Sequence, residues 1–275
     1  MMATLVPVPG ATPIAEEYRA LVDATARIDR SYGEFHPEAY APESLRAACA
    51  HWRKRMIDEY LSTAVFSGLS AQLVEANATL DTSAVVLRMA QDEFRHAEVC
   101  GRVVAAMGGD PRVSYEPVER ALPRHEGTSA EERALRNVLV TSISETHSIA
   151  YFVSSLDRCE DPFLRAVTRD LLSDEILHGR FGFHYLQAWS DWLGERPTVR
   201  ASISKYLRHV FAVAEQAITR EPSMHGHNKD DARLGLVPHE ETLAIFRDTM
   251  ENAIAPGLER FGLDAMNAWR ARSLG

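Results

Sequence analysis

The chain has 275 residues, 45% of them hydrophobic and 25% charged, enough apolar material for one large buried core or two small ones. Its formal net charge of −9 and pI near 5.7 argue against broad non-specific binding to nucleic acid or to an anionic membrane surface, while leaving room for a local basic patch. The three cysteines, Cys49, Cys100 and Cys159, are far apart and form no Cys-x-x-Cys pair, which argues against a zinc ribbon and reads as reduced, cytoplasmic thiols.

The N-terminus has neither a basic leader nor a long apolar run, so no signal peptide is expected. No stretch of 18 apolar residues occurs, so no membrane span is expected either. Residues 1–14 hold three prolines and read as irregular, followed by a helix over about Ala15 to Ser31. From Pro42 to Pro111 the chain contains no internal proline. That stretch predicts two long helices with a turn near Ala76 to Ser83, the second stopped by Gly108-Gly109-Asp110-Pro111. Residues 112–128 read as a linker. Ser129 with Glu132 three residues on is a capping-box pattern and opens a third long helix. Asp161-Pro162 closes it and opens a fourth, as N-cap and first helical residue, running to about Trp192. A fifth helix is expected between Pro197 and Pro222, and a sixth between Pro238 and Pro256. Strand-like alternation is scarce, so the fold class is all-α.

The helices carry polar residues where only apolar ones belong. In the second, Val86, Met89, Ala90, Ala97, Cys100, Val103 and Val104 recur at spacings of three and four and define one face. Glu93 and His96 lie on that face. In the fourth, Leu164, Val167, Leu171, Gly182, Tyr185 and Trp189 define the face, with Glu175 and His178 inside it. A buried carboxylate without compensation is very costly; a metal ion provides it, taking oxygen from Glu and nitrogen from neutral His. A single Glu-x-x-His is common by chance. Here there are two, each preceded by Asp: Asp92-Glu93-Phe94-Arg95-His96 and Asp174-Glu175-Ile176-Leu177-His178. Asp92 and Asp174 each stand four residues before their own histidine. Each is expected to accept a hydrogen bond from that histidine's non-ligating nitrogen and so fix the tautomer. The other two helices supply one carboxylate each: Glu59 on the stripe of Trp52, Met56, Phe66, Leu69 and Leu73, and Glu145 on the stripe of Val138, Ser142, Phe152 and Ser155. The chain is a tandem of one unit, Glu then Asp-Glu-x-x-His, used twice. That describes a dinuclear site inside a helix bundle.

The segments from Glu59-Tyr60-Leu61-Ser62 through His96, and from Glu145-Thr146-His147 through His178, resemble the ferritin-like di-iron carboxylate superfamily. The resemblance covers roughly residues 43–192. The Asp-Glu-x-Arg-His form is similar to that of bacterial multicomponent monooxygenases and small stand-alone di-iron oxidases. The second motif departs from it, with Leu177 where Arg would stand. Leu171 stands one turn before Glu175, where the seven-ligand arylamine N-oxygenases place a further histidine. The resemblance implies a ferritin-like four-helix bundle with additional N- and C-terminal helices. Residues 1–42 would be an extension with one helix, 43–192 the bundle, and 193–275 helices packed on it, in a single domain overall. It implies Glu59, Glu93, His96, Glu145, Glu175 and His178 as ligands of two iron ions, or of a manganese–iron pair, with O₂ as co-substrate.

The expected function is an O₂-dependent di-iron oxidase or oxygenase acting on a small organic molecule, drawing on an external electron donor. A ferroxidase or iron-handling protein and a tRNA-modifying di-iron hydroxylase are the alternatives, with a pure interaction module a further one. The acidic net charge counts against the tRNA enzyme, and no nucleic-acid or membrane partner is expected; a homodimer is compatible with long amphipathic helices. Small residues at Ala64, Gly68 and Ser142 are expected to leave space for substrate. Thr63 and Ser148 read as helix packing residues, as do Tyr60, Tyr151 and Tyr185. His147 points away from the site. The run from His225 to Asp231 reads as a solvated loop or lid.

Overall fold

A computed structural model describes residues 2–5, 16, 19–20, 32–116, 122–220 and 228–273. The helix expected over Ala15 to Ser31 lies almost wholly outside them. Four long helices dominate: α1 (Pro42–Glu75), α2 (Leu80–Ala106), α3 (Ala130–Arg158) and α4 (Pro162–Ala188). The short α5 (Ser190–Gly194) follows, then α6 (Pro197–Arg220), α7 (Lys229–Arg233), α8 (His239–Thr249), α9 (Ala255–Glu259) and α10 (Ala265–Arg270). Among the described residues no helix is long and apolar enough to cross a membrane.

The helix ends follow local chemistry. Ser129 Oγ accepts from the Glu132 amide at 3.2 Å, and Asp161 Oδ1 accepts from the Leu164 amide at 2.9 Å, each satisfying a donor that the first turn leaves without a helical partner. The capping box at Ser129 is only half built, because the Glu132 carboxylate accepts from Arg136 instead. The turn between α1 and α2 is made by Asn77 at φ 54°, with the Ala78 amide returning to the Leu73 carbonyl, a helix stop that asparagine tolerates.

Three sequence expectations are corrected. The N-terminal residues are not wholly irregular: β1 (Ala3–Leu5) pairs antiparallel with β2 (Val113–Tyr115), Thr4 opposite Ser114. Three-residue strands are too short to show alternation. The fourth helix ends at Ala188 rather than Trp192, with Trp189 between it and α5. The sixth does not stop at Pro256. A π-helical turn over Met250–Ile254, in which the Ala255 amide bonds to the Met250 carbonyl, carries the chain through the proline into α9. Hydrogen bonds spanning five residues absorb the donor that proline lacks.

The long helices pack as α1 on α2 and α3 on α4, with further contact between α1 and α3 and between α2 and α4. Asn137, early in α3, donates to Gln72, late in α1. The segment after α2 therefore returns the chain along the bundle, and α3 starts where α1 ends. The α6–α10 region packs chiefly through α6 and α8 on α3.

The core falls into two apolar clusters. One contains Phe66, Leu69 and Leu73 of α1, Val86 and Met89 of α2, Leu135, Leu139 and Ile143 of α3, and Phe181 and Tyr185 of α4. The other contains Trp52 and Met56, Ala97, Cys100 and Val103, Phe152, and Leu164, Val167 and Leu171. Along every long helix the change from one cluster to the other falls at the predicted ligand position. The polar layer is thus sealed above and below by side chains whose burial stabilises by roughly 1.5–3 kcal/mol each.

Glycine sets the distance between α3 and α4. A Cβ on Gly182 would lie 2.3 Å from the Cβ and Oγ of Ser142, and one on Gly179 would lie 2.5 Å from Ile149 Cδ1. Ser142 therefore fills a close helix contact rather than leaving room for substrate, and Ala64 lies on the surface. Gly182→Ala is expected to lower stability by about 1–3 kcal/mol through overpacking; the pair Gly182→Ala with Ser142→Gly should recover part of that loss, both read from chemical denaturation curves.

Candidate metal centre

Each long helix delivers its ligand residues to one level. Glu93, His96, Glu175 and His178 are at most 1% exposed, and Glu59 is 7% exposed. Glu145 is half-buried and has the most accessible side chain of the six. Their donor atoms form two overlapping groups. One oxygen or nitrogen each from Glu59, Glu93, His96 and Glu175 lie within 4.8 Å of one another, and so do those of Glu93, Glu145, Glu175 and His178. Ligand bonds of about 2.0–2.2 Å place opposed donors about 4 Å apart, so each group is the size of one coordination sphere. Glu93 and Glu175 belong to both groups. Glu59 and Glu145 belong to one group each, and each group has one histidine. All six predicted ligands are brought together.

The unsatisfied atoms mark the same place. His96 and His178 have no hydrogen-bonded ring nitrogen, and Glu93 and Glu175 each keep one carboxylate oxygen without a partner. Buried polar atoms almost always find partners. Here the nearest groups are carboxylates at ion-pair distance: His178 Nδ1 lies 3.1 Å from Glu93 and 3.6 Å from Glu145, and His96 Nδ1 lies 3.4 Å from Glu175 and 3.8 Å from Glu59. Four carboxylates match the charge of two divalent ions, and the oxygen–imidazole set suits iron or manganese. The cluster is compatible with a di-iron site.

Left to protons alone, the same residues share them. Burial pushes the Glu93 carboxyl well above the usual carboxylate range, and the Glu59 charge adds to this. Burial also raises Glu145, to about 7, with Glu175 contributing and His178 opposing. Burial would lower both imidazoles, but Asp174, Glu175 and Glu59 around His96, and Asp92, Glu145 and Glu93 around His178, hold both well above the ordinary histidine range. Acidic groups held up beside basic groups held up are what negative charge crowded out of water produces.

The two aspartates stand near histidines, but crosswise. Asp174 Oδ2 lies 3.5 Å from His96 Nε2, and Asp92 Oδ2 lies 3.6 Å from His178 Nε2, so each aspartate faces the histidine of the other motif. Asp92 reaches back to Arg88, whose Nε donates at 2.8 Å, while each imidazole crosses to the facing helix.

Sequence reasoning missed the cations behind this layer. Arg95, 3% exposed, donates to Asp170 at 2.6 Å and also to Asp174, and Tyr32 donates to the same Asp170 oxygen at 2.5 Å. The arginine of the first motif thus holds the aspartate of the second. Leu177 cannot do the converse, and Arg88 takes that part from within α2. Arg55 donates to Glu59 Oε1 at 2.9 Å and lies over the Phe152 ring, 4.1 Å from its centroid. It occupies one Glu59 oxygen and leaves the other facing His96. Arginine four residues before an acidic residue at both Arg55 and Arg88 was the available signal, though such pairs are usually surface features.

The remaining candidates lie elsewhere. Thr63 donates to the Tyr60 carbonyl. Tyr60 packs on Phe94 and Tyr115, Tyr151 on His51, and Tyr185 on Trp189. His147 points at Phe246. Of the run from His225 to Asp231, the first three residues lie outside the described ones. The rest is not a solvated loop: Asn228 caps α7, its Oδ1 accepting from the Asp231 amide and from Ser44, while Asp230 accepts from the Ala41 amide. This docks α7 on the start of α1. The three cysteines are free and buried. No protein-family model matches this sequence, and a search of curated proteins returned no match.

Elemental analysis after iron-replete expression should give about two metal ions per chain, and Glu93→Ala with His178→Ala should abolish them, because one substitution removes a shared ligand and the other a histidine. Arg95→Leu should destabilise by about 3–5 kcal/mol at pH 7 by stranding Asp170 and Asp174. Asp174 is raised by burial but held low overall by His96 and Arg95. The stability from that pairing is therefore present above the usual carboxylate range and lost on acidification. The gap between variant and wild type in denaturation midpoint should accordingly narrow as pH falls.

Proposed function

We propose that this chain is a ferritin-like di-iron carboxylate protein acting as an O₂-dependent oxidase or oxygenase on a small organic substrate. The observation that carries this reading is the pair of coordination-sized groups that share Glu93 and Glu175 and take one histidine each. Two iron ions held there would supply the electrons and the Lewis acidity with which O₂ is reduced.

The rest of the work falls to the chain itself. Glu93 and Glu175 hold the two positions together, and Glu59 and Glu145 close them at the outer sides. Arg55 fixes Glu59, whereas among the described residues no arginine pairs with Glu145, the most accessible of the six, so the α3 side favours exchange of ligand or substrate. Around Glu145, residues 145–150 of α3 are all half-buried, so the layer is less enclosed at Glu145 than at the other five residues. Phe66 presses on His178 with ring centroids 5.6 Å apart, and the two apolar clusters exclude water on either side. That exclusion protects a strong oxidant from reactions other than the intended one. The turnover also needs electrons from an external donor.

Stopped-flow mixing of the anaerobically reduced, iron-loaded protein with O₂ tests the proposal. Reoxidation at least tenfold faster than in Glu145→Ala, with the iron content staying at two per chain, is the expected result. Equal rates in the two proteins would sink the oxygen-activating reading. Continued iron uptake with mineral formation would replace it with iron storage.

A further inference from the structure

The chain carries nine more acidic than basic residues, yet the run from Arg196 to His209 contains Arg196, Arg200, Lys205, Arg208 and His209 and no acidic residue. Helix geometry gathers part of that run into one place. Arg200, Ser204 and Arg208 recur at four-residue spacing on α6, with Lys205 beside them, and together they line a cleft of about 550 Å³. The opposite wall is the turn at Gly262 and Asp264.

The cleft is built rather than incidental. Ser204 Oγ donates to the Arg200 carbonyl at 2.8 Å and accepts from the Asp264 amide at 3.0 Å, tying the turn to the helix. Gly262 has φ +76°, and a Cβ there would lie 2.9 Å from Arg200 Nη1. The positive φ favours glycine there, and the Arg200 guanidinium lies across it. Arg196, one turn before Arg200, is instead turned to the Trp192 carbonyl and Glu195. Among the described residues, no carboxylate forms an ion pair with Arg200, Lys205 or Arg208. Three like charges held along one wall without a partner repel one another, and an anion in the cleft relieves that repulsion.

The shape of the charge narrows the ligand. Arg200 and Arg208 are separated by two helical turns, about 12 Å of rise, which is longer than a single tetrahedral anion. Asp264 is the one carboxylate in the lining. It repels an anion beside it and suits a ligand hydroxyl, so it favours a ligand with its charge at one end and a hydroxyl at the other. Arginine pairs bidentately with phosphate oxygens, and lysine adds a mobile point charge. We infer that this cleft binds a diphosphate-bearing small molecule with a hydroxylated tail, at a site separate from the metal centre and independent of the oxygen chemistry.

Isothermal titration of the full-length, metal-loaded protein with inorganic pyrophosphate at low ionic strength tests this. Expected is saturable binding of one pyrophosphate per chain, tighter than orthophosphate. Arg200→Gln with Arg208→Gln should weaken it at least tenfold while leaving the iron content at the wild-type value. Arg46→Gln, a substitution outside the cleft, should leave it unchanged. No saturable binding, equal affinity for the two anions, or undiminished binding by the double variant would overturn the inference. So would an equal loss in Arg46→Gln, which would reduce the effect to general surface charge.

Discussion

Six ionisable side chains meet in the middle of a helical bundle, where water cannot compensate them. Two carboxylates crowded together out of water cannot both keep their charge cheaply, and here there are four, with two imidazoles between them. Much of the rest of the structure can be read as a response to that concentration of charge. Apolar clusters lie on both sides of it and nowhere interrupt it. Behind it stand Asp92 and Asp174, and behind those stand Arg88 and Arg95. Charge thus alternates outward from the centre, carboxylate to imidazole to carboxylate to guanidinium, so that each buried group has a counterpart of opposite sign.

The two halves of the tandem are alike in ligands and unlike in support. On the His96 side, Asp174 is held by Arg95, which also binds Asp170, and Asp170 is in turn held by Tyr32. Arg55 fixes Glu59. On the His178 side, Asp92 has Arg88 from its own helix, and among the described residues Glu145 has no guanidinium partner. The carboxylates at the two ends of the layer are therefore held by different numbers of partners.

Helix spacing matters as much as charge. Gly179 and Gly182 let α3 and α4 approach until Ile149 and Ser142 sit where a Cβ would otherwise be. That approach is what brings Glu145 within reach of His178. The region after α5 leans on the outer face of α3 through α6 and α8, buttressing the helix that carries the most accessible ligand. It also carries a basic run with no acidic residue, at Arg196 to His209.

The sequence by itself determined the helical class, the long elements, their caps at Ser129 and Asp161, and all six residues of the centre. These were legible because they depend on periodicity and on local rules: a stripe at spacings of three and four marks the inward face, and a charged residue on that stripe demands compensation. Only the tertiary structure decided which partner each residue serves. Asp92 stands four residues from His96 yet faces His178: its side chain leans back to Arg88 while the imidazole reaches across the bundle. Arg95 looks like one more surface charge until α4 brings Asp170 and Asp174 to it. Ser142 and Gly182, forty residues apart, share one contact that neither position announces. Strands of three residues and a π turn through a proline escape local reading for a related reason: their hydrogen bonds are settled by segments distant in the chain or by a one-residue shift in the ladder. Residue types and spacings fix which groups must be buried together; the crossing of the helices fixes which of them touch.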